Sequence, residues 1–401
     1  MSRRGSVLVS GAGIAGTAVA YWLDHFGWDT VLVERAEARR TAGQNIDIRG
    51  AAREVVRRMG LEAELLAAGT GEVGTRFVDA RGRTVAEFPA GTADGDGPTA
   101  EMEVLRGQLV ASLDDLLQGR VEHCYGDSIR TVAQDDGGVD VGLDSGSTRR
   151  FDLLVVAEGF HSYTRRLVFG AETRMRDLGQ YLGYGTIPRT VDDDNWWRWL
   201  PAGKGRAVML RPDNVGTTRA LLGFMGPPEG LARRSPSEQV SRLREVFADV
   251  GWECPRILAE LTADDFYLDR VGQVHTPRWA HGRVALTGDA AYCPSPISGM
   301  GTSLALTGAY VLAGELSAHR HHADGWRAYE EVMRPIVRRA QQLPPGAPRL
   351  VNPSSKLGVS TLNTALRLAG SPLAQAIRSR IPVRPARRRS LPEYDGGGVT
   401  A

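Results

Sequence analysis

A glycine-rich turn near the N-terminus restricts the fold of this chain more than any other feature. The turn consists of Gly11, Ala12, Gly13, Ile14, Ala15 and Gly16. It lies between a short apolar run, residues 6–10, and a stretch of helical composition, residues 17–26. A second apolar run, residues 29–34, ends in Glu34, 18 residues after the last glycine. This order predicts a βαβ unit that binds a dinucleotide.

Each glycine of the turn has a separate physical task. Gly11 permits the tight turn, Gly13 lets the backbone approach a pyrophosphate closely, and Gly16 allows close helix–strand packing. The following helix directs its unpaired amides and the positive end of its dipole at the phosphates. Glu34 is placed to accept hydrogen bonds from the ribose hydroxyls, and its charge disfavours a 2′-phosphate. The turn therefore predicts FAD or NAD and does not distinguish them.

Length and composition indicate a protein with small-molecule partners. The 401 residues suffice for two domains, and a formal net charge of +2 implies no general attraction to nucleic acid or membranes. Cys124, Cys254 and Cys293 are far apart, which argues against a disulfide framework or a zinc site, and no metal is expected. Because a strand begins at Ser6 and no apolar run reaches about 18 residues, we expect neither a signal peptide nor a membrane span. We expect a cytoplasmic monomer or weak homodimer.

Two further segments favour FAD over NAD. Segment 152–165 carries Glu158 and Gly159 after an apolar run and resembles a motif of single-component flavin hydroxylases. Segment 283–301 is similar to that family's second flavin motif and contains Gly288, Asp289, Pro296, Gly299, Met300 and Gly301. The chain thus resembles the FAD-dependent aromatic hydroxylases of the p-hydroxybenzoate hydroxylase fold. Within them it is most similar to the tetracycline-inactivating monooxygenases and the tailoring enzymes of antibiotic pathways.

The resemblance implies an α/β fold in which a Rossmann-type FAD-binding domain is interleaved with a mixed β-sheet substrate domain, followed by a C-terminal helix. The FAD-binding parts are predicted at residues 1–75, 101–178 and 273–343. The substrate domain is predicted at residues 76–100 and 179–272. Residues 344–401 are predicted to form the C-terminal helix and a tail.

The resemblance also implies individual contacts with the cofactor. Asp289 is expected at the ribityl or pyrophosphate region, and the turn before Gly301 is expected at the flavin N1–C2=O edge. Arg106 is expected to touch the phosphates or ribityl chain, although a surface charge on a helix is the alternative. Asp47 is expected at the flavin and Arg40 at NADPH, with ordinary loop residues as the alternative for both. Arg35, next to Glu34, is included in the predicted cofactor site.

Two positions depart from the family pattern. Glu158 stands where the family usually has aspartate, which adds one methylene to the carboxylate side chain. Tyr292 stands where a histidine is common after the second motif, so a histidine-based role at this place is in doubt. His161, inside the first of the two segments, is expected in a surface loop.

The activity implied by the resemblance is that of an FAD-dependent monooxygenase. NAD(P)H reduces FAD, O2 is captured as a flavin C4a-hydroperoxide, and one oxygen atom passes to an aromatic or polyketide-like small molecule. Because no second glycine motif is present, NADPH or NADH is expected to bind transiently. No catalytic side chain is singled out by the sequence. A reductase, oxidase or halogenase with a single flavin, and a non-catalytic flavin-binding sensor, remain alternatives.

Aromatic strands in the predicted substrate domain supply candidate pocket walls. The predicted substrate contacts are Tyr184, Trp197, Met209 and Phe224. Packing within a hydrophobic core is the competing interpretation for each of them, because large apolar side chains are more often core than pocket wall.

Overall fold

The computed structural model describes residues 4–39, 43–90, 100–263, 266–371 and 391–394. The strands in these ranges are β1 (Ser6–Ser10), β2 (Asp29–Glu34), β3 (Asn45–Asp47), β4 (Gly74–Val78), β5 (Thr84–Pro89), β6 (Glu103–Leu105), β7 (Glu122–Tyr125), β8 (Ile129–Gln134), β9 (Val139–Leu143), β10 (Thr148–Phe151), β11 (Leu153–Val156), β12 (Arg174–Pro188), β13 (Trp196–Gly203), β14 (Arg206–Pro212), β15 (Thr217–Met225), β16 (Phe266–His275), β17 (Ala280–His281) and β18 (Val284–Leu286). The helices are α1 (Ile14–His25), α2 (Ala51–Arg58), α3 (Glu62–Ala67), α4 (Arg106–Asp115), α5 (Tyr163–Phe169), α6 (Pro236–Phe247), α7 (Cys254–Glu260), α8 (Asp289–Tyr292), α9 (Gly301–Ala318), α10 (His322–Gln341), α11 (Ala347–Val351) and α12 (Lys356–Ala369). Short 3-10 turns occupy Gly170–Glu172, Leu231–Arg233 and Pro296–Ser298.

A six-stranded sheet holds the glycine turn near its centre. Its strand order is β17-β18-β11-β1-β2-β7, and β1 pairs in parallel with both β2 and β11. Val7, Leu8 and Val9 of β1 are buried, as expected for a central parallel strand that is covered on both faces. Because the carboxyl ends of parallel strands meet at one edge, the loops that follow β1, β11 and β18 converge there.

A seven-stranded sheet forms the second layer. Its order is β16-β12-β15-β14-β13-β4-β5, and its pairs are antiparallel except β13 with β4. One face packs on α6 and α7 through a core that includes Leu243, Phe247 and Ile257. The opposite face contacts Ile297, from the 3-10 turn between α8 and α9. This second face is called the cofactor-side face below.

Two small sheets complete the strand pairing. The strands β8, β9 and β10 form an antiparallel sheet. The strands β3 and β6 pair antiparallel, with Asp47 opposite Glu103. Because α4 begins directly after β6, this pair places Asp47 close to the start of α4 at Arg106.

Several elements differ in extent from the sequence expectation. Residues 51–67 form two helices, α2 and α3, because Gly60 adopts a left-handed φ of +77° between them. The C-terminal helix begins at Lys356, where the Ser355 side chain accepts a hydrogen bond from the Gly358 amide. The domain division remains a prediction, and β4, β12 and β16 cross its boundaries at 75/76, 178/179 and 272/273. Throughout the described ranges, every helix is too short or too polar to cross a bilayer.

Residues 391–394 pack against helices of the six-stranded sheet. The Tyr394 ring lies 5.1 Å from the Tyr310 ring between centroids, and its hydroxyl donates a 2.8 Å hydrogen bond to Glu315 Oε1. A Cβ atom at Gly314 would lie 2.1 Å from the Tyr394 ring, so only glycine fits beneath it. Residues 391–394 are therefore attached to α9 by ring packing and by a hydrogen bond.

Removing the Tyr394 side chain is expected to lower the free energy of unfolding. We expect a loss of about 2 to 3 kcal/mol for Tyr394→Ala, because ring packing is lost, and about 1 kcal/mol for Tyr394→Phe, because only the hydrogen bond is lost. Urea denaturation followed by circular dichroism measures both changes. Glu315→Gln is the matched control, since its amide oxygen still accepts the bond. Wild-type stability in Tyr394→Ala would contradict the packing argument.

Candidate cofactor and substrate site

The glycine turn has a geometry that only glycine permits at two positions. Gly11 has a φ of +102°, and a Cβ atom there would lie 2.7 Å from the Ala157 carbonyl oxygen. A Cβ atom at Gly16 would lie 1.7 Å from the Gly11 carbonyl oxygen. The turn, the start of α1 and the end of β11 are therefore packed backbone against backbone.

The first turn of α1 leaves its amides without a side-chain cap. Gly13 is the N-cap residue and has no side chain to accept a hydrogen bond from them. A Cβ atom at Gly13 would meet only Arg106 Nη2, at 3.7 Å. The turn thus presents unpaired donors and a positive dipole end to the space that Arg106 borders, which suits a pyrophosphate.

Glu34 lies at the end of β2 and holds the turn. Its Oε2 accepts a 2.9 Å hydrogen bond from the Ala12 amide, and its Oε1 accepts one of 2.9 Å from the Ala36 amide. The carboxylate therefore lies next to the turn, where the sequence predicted it. Arg35 is exposed, and Arg40 lies outside the described residues.

Arg106 is the first residue of α4 and lies between the glycine turn and the second flavin motif. Its side chain packs against Gly43 and reaches Gly13. Its charge acts on Asp289 and Tyr267, where it opposes the rise in pKa that burial causes. The half-buried Arg106 side chain therefore lies beside the glycine turn, and its contact with the phosphates or ribityl chain stays a prediction.

Asp289 is half-buried at the start of α8. Burial raises the pKa of its carboxyl group, and the Cys293 thiol and the Arg106 charge oppose that rise. The preceding Gly288 has a φ of +59°, and a Cβ atom there would lie 2.7 Å from Ala15 Cβ. The second flavin motif therefore touches the first through another contact that requires glycine.

The turn that leads into α9 borders open space. Ser295 has a φ of +82°, which costs a non-glycine residue about 1 to 3 kcal/mol and is typical of functional loops. Pro296 and Gly299 are exposed and Met300 is half-buried. A Cβ atom at Gly299 or Gly301 would meet no atom within 4 Å. The N-terminus of α9, which has no side-chain cap, thus faces open space.

Asp47 supplies an unsatisfied acceptor to the same region. Its Oδ2 pairs with Arg49 at 3.0 Å, whereas its Oδ1 is buried without a hydrogen-bond partner among the described residues. Burial raises the pKa of Asp47, and the charges of Arg211 and Arg49 oppose the rise. A bound group that donates a hydrogen bond would satisfy this buried oxygen.

The carboxylate of Glu158, a predicted cofactor contact, is hydrogen-bonded within the chain. Its Oε1 accepts hydrogen bonds from the hydroxyls of Ser10 and Thr164, at 2.7 and 2.5 Å. Its Oε2 accepts from the Ser162 hydroxyl at 2.7 Å and the Thr164 amide at 3.0 Å. The longer side chain thus folds back to join β1 to the start of α5. Gly159, with a φ of +80°, still borders open space.

Three of the four predicted substrate contacts share the cofactor-side face of the seven-stranded sheet. Tyr184, Trp197 and Met209 lie in one cluster with Ile297. The Trp197 ring stacks on Trp199, with 5.3 Å between centroids. This cluster forms an aromatic wall next to the turn that leads into α9.

Phe224 lies on the opposite face, so its prediction as a pocket wall is corrected. It stacks on Tyr181 at 5.1 Å and contacts Phe247 of α6 at 6.3 Å between centroids. Paired residues of neighbouring strands share a face, and Met209 pairs with Leu221, three residues before Phe224. An odd separation along a strand directs the two side chains to opposite faces.

A buried charged cluster that the sequence analysis did not identify lies under the aromatic wall. Arg211 of β14 pairs with Glu72 at 2.8 Å and also with Glu103. Its guanidinium lies 4.3 Å from the centroid of the Trp197 ring, in a cation–π contact. The available signal was an arginine in a strand whose seven residues are all buried, since such a charge requires a partner.

Glu103 holds a proton more strongly than an ordinary glutamate. Burial raises its pKa to about 7, while Arg211 opposes the rise and Glu72 adds to it. Its Oε1 accepts hydrogen bonds from Asn45 at 2.7 Å and from Thr70 at 2.5 Å. The main cause of the rise is therefore the removal of the Glu103 carboxyl group from water.

Comparison with known proteins identifies the family. A family model described as an FAD binding domain matches residues 4–343. A flavin-dependent monooxygenase from an unknown prokaryotic organism is 39% identical over 338 residues, covering 82% of this chain and 86% of that protein. The flavin-dependent monooxygenase eupH of Phoma sp is 35% identical over 426 residues, covering 98% of each chain. The crystal structure of the tetracycline destructase Tet(51) is 32% identical, with a TM-score of 0.79 over 97% of this chain and 99% of that chain. The chain belongs to the FAD-dependent monooxygenases.

The site of this monooxygenase fits FAD in its donors and acceptors. The uncapped amides of α1 suit the pyrophosphate, and the open space at the N-terminus of α9 suits the flavin ring. The buried Asp47 Oδ1 supplies an acceptor for a ring or ribityl donor. These features come from three separate segments of the chain and converge at one edge of the six-stranded sheet.

Two glycine substitutions are expected to separate cofactor binding from folding. Gly13→Ala is expected to fold normally, because its Cβ atom has room in the protein, but to lose most of its FAD, because that atom fills the approach to the pyrophosphate. Gly16→Ala is expected to lose both FAD and stability, since its Cβ atom overlaps the Gly11 carbonyl. The ratio of flavin to protein absorbance and the thermal midpoint measure the two effects. Full FAD content in Gly13→Ala would contradict the assignment.

The proton held by Glu103 is expected to make stability depend on pH. The folded-state pKa of about 7 exceeds the ordinary value of 4.5, so the stabilisation is complete below pH 4.5 and is lost as the pH rises through 7. We expect the wild type to lose about 2 kcal/mol relative to Glu103→Gln between about pH 5 and about pH 8. Urea denaturation at both pH values measures this difference. The exposed Glu172→Gln serves as control, and equal pH slopes in wild type and Glu103→Gln would refute the proton's role.

Proposed function

We propose that this monooxygenase uses NAD(P)H and O2 to hydroxylate or otherwise oxygenate an aromatic or polyketide-like small molecule. The observation that carries the proposal is the aromatic wall of Tyr184, Trp197 and Met209, which contacts Ile297 beside the α9 N-terminus. A flat substrate stacked on this wall lies next to the place proposed for the flavin ring. The similarity to a structure named tetracycline destructase supports a polycyclic substrate.

The residues of the chain bind and orient both partners. In the proposal, the α1 N-terminus and Arg106 hold the pyrophosphate, and Asp289 and Asp47 hold the ribityl and ring portions of FAD. FAD, when bound, supplies electron transfer from the nicotinamide and activation of O2. The positive end of the α9 dipole stabilises negative charge on the adjacent ring edge.

The charged cluster gives the aromatic wall a fixed geometry. Arg211 is held by Glu72 and Glu103 and lies beneath the Trp197 ring, so the ring has a charged support on one side. Trp199 stacks on Trp197 and also on Phe77, at 5.5 Å between centroids. A rigid stacked wall binds an aromatic ring with little loss of side-chain entropy.

The reductant and the location belong to the same proposal. We propose that NADPH or NADH binds transiently, with Arg40 as the predicted contact. All three cysteines are free thiols, which supports a reducing cytoplasm as the site of action.

The proposed reaction is tested with the purified FAD-loaded enzyme and a panel of phenolic polyketides. We expect at least one compound to accelerate NADPH or NADH oxidation and to gain the mass of one oxygen atom in equal amount. Reduction without oxygen transfer would indicate a reductase or oxidase, and no turnover with bound FAD would indicate a sensor. Absence of any coupled oxygen gain across the panel would overturn the proposal.

The aromatic wall is tested by paired substitutions on the two faces of the sheet. Trp197→Ala is expected to raise KM for an accepted substrate about tenfold, or about 1.4 kcal/mol, because the wall loses this ring and Trp199 loses its stacking partner. Phe224→Leu, on the opposite face, is the control and is expected to leave KM within about twofold. Steady-state kinetics at equal FAD content provide the comparison. An unchanged KM in Trp197→Ala would exclude the wall as a substrate contact.

A further inference from the structure

A hydrogen-bonded chain of three side chains joins the two layers at the edge of the site. His161 lies in the loop after β11, and Tyr267 and Asp269 lie on β16. Asp269 Oδ2 accepts a 2.8 Å hydrogen bond from His161 Nε2 and a 2.7 Å hydrogen bond from the Tyr267 hydroxyl. Its Oδ1 accepts a 2.7 Å bond from the Arg270 amide. The carboxylate is therefore surrounded by donors.

Tyr267 borders the space between the aromatic wall and the cofactor site. It pairs across the sheet with Tyr184, and the two rings stack with 6.3 Å between centroids. Because Tyr184 lies on the cofactor-side face with Ile297, its pairing partner Tyr267 lies on that face as well. The Tyr267 side chain is still 55% exposed, so a ligand in this space has access to it.

The geometry of this hydrogen-bonded chain determines whether Asp269 and Tyr267 carry a proton. Burial alone raises the pKa of Asp269, but the hydrogen bonds from His161 and Tyr267 outweigh it and lower that pKa, so the carboxylate is ionised and only accepts. Burial and the negative charge of Asp269 raise the pKa of Tyr267, so its hydroxyl keeps its proton. Tyr184 and Arg106 are further titratable or charged groups that act on Tyr267.

A neutral tyrosine hydroxyl has one proton and two lone pairs. The proton of Tyr267 is engaged by an ionised carboxylate, which is a stronger acceptor than a neutral ligand oxygen. What the hydroxyl offers to the open space is therefore a lone pair. A ligand atom placed there forms a hydrogen bond only if it carries a hydrogen.

We infer that Tyr267, with its polarity imposed by Asp269 and His161, selects substrates that present a hydroxyl or N–H donor at the edge of the aromatic ring system. Tyr267 is a specificity-determining contact, and Asp269 and His161 are positioning residues that act through it. An ether or ketone oxygen at the same place has only lone pairs to present to the lone pair of the Tyr267 hydroxyl, so no hydrogen bond forms. The inference rests on the proposed aromatic substrate and specifies which functional group that substrate carries.

The experiment compares two ligands that differ only in the donor. The FAD-loaded, oxidised enzyme is titrated with 2-hydroxyanthraquinone and with 2-methoxyanthraquinone, and binding is followed by quenching of tryptophan fluorescence. We expect the wild type to bind the hydroxyl compound about tenfold more tightly, which is the usual effect of one such hydrogen bond. Tyr267→Phe is expected to remove this preference by weakening only the hydroxyl compound.

A second variant tests the direction in which the Tyr267 hydroxyl donates its proton, rather than whether the hydroxyl is present. In Asp269→Ala the Tyr267 proton is free to point toward the ligand, so we expect the methoxy compound to bind more tightly than it does to wild type. A merely structural role of Asp269 would not improve binding of any ligand. FAD content and thermal midpoint are measured in each variant, so that loss of folding is recognised.

The outcomes distinguish this inference from the proposal on which it rests. If wild type binds neither compound, the proposed aromatic substrate is overturned and the inference with it. If wild type binds both with equal affinity, or Tyr267→Phe weakens both equally, only the inference is overturned. A hydroxyl preference that Tyr267→Phe removes and Asp269→Ala shifts toward the ether supports both.

Discussion

Backbone contacts that exclude a Cβ atom hold the site together. Gly16 packs on the Gly11 carbonyl, Gly11 packs on Ala157, and Gly288 packs on Ala15. These contacts join the ends of β1, β11 and β18 at one edge of the parallel sheet, where ligands bind in open α/β folds. The rest of the site depends on them, because they bring the α1 N-terminus and Asp289 to one place.

The seven-stranded sheet adds the surface proposed to contact the substrate, next to this edge of the parallel sheet. Its cofactor-side face carries the stacked tryptophans, and the charged cluster under them keeps Trp197 in position. Burying Arg211 with two glutamates costs desolvation, which their hydrogen bonds offset. Burial is the main cause of the raised pKa of Glu103, and the nearby charge of Glu72 adds to it. The same interface brings His161 of one layer to Asp269 of the other.

Features that depend on local backbone geometry could be predicted from the sequence. Features that depend on strand register or on contacts between distant segments could not. Gly11, Gly16 and Gly288 occupy positions that require glycine, and Glu34 contacts the turn. Phe224 was placed on the wrong face because strand register decides the face, and a sequence does not display register. Glu158 was expected at the cofactor, but its carboxylate has four donors from Ser10, Ser162 and Thr164. Glu103 and Arg211 were not identified because they and their common partner Glu72 are distant along the chain. Tyr267 was not identified because the ring it stacks on, Tyr184, comes from a strand far away in the sequence.

The sequence by itself determined the cofactor class and the order of the segments that bind it. It did so because backbone turns, glycine positions and helix starts are local properties with few alternatives. The tertiary structure alone decided which side chains face the cofactor. It also decided which carboxylates share an arginine and which hydroxyl has its proton already engaged. Those properties depend on strand register and on contacts between distant segments, as in the pairing of His161 with Asp269.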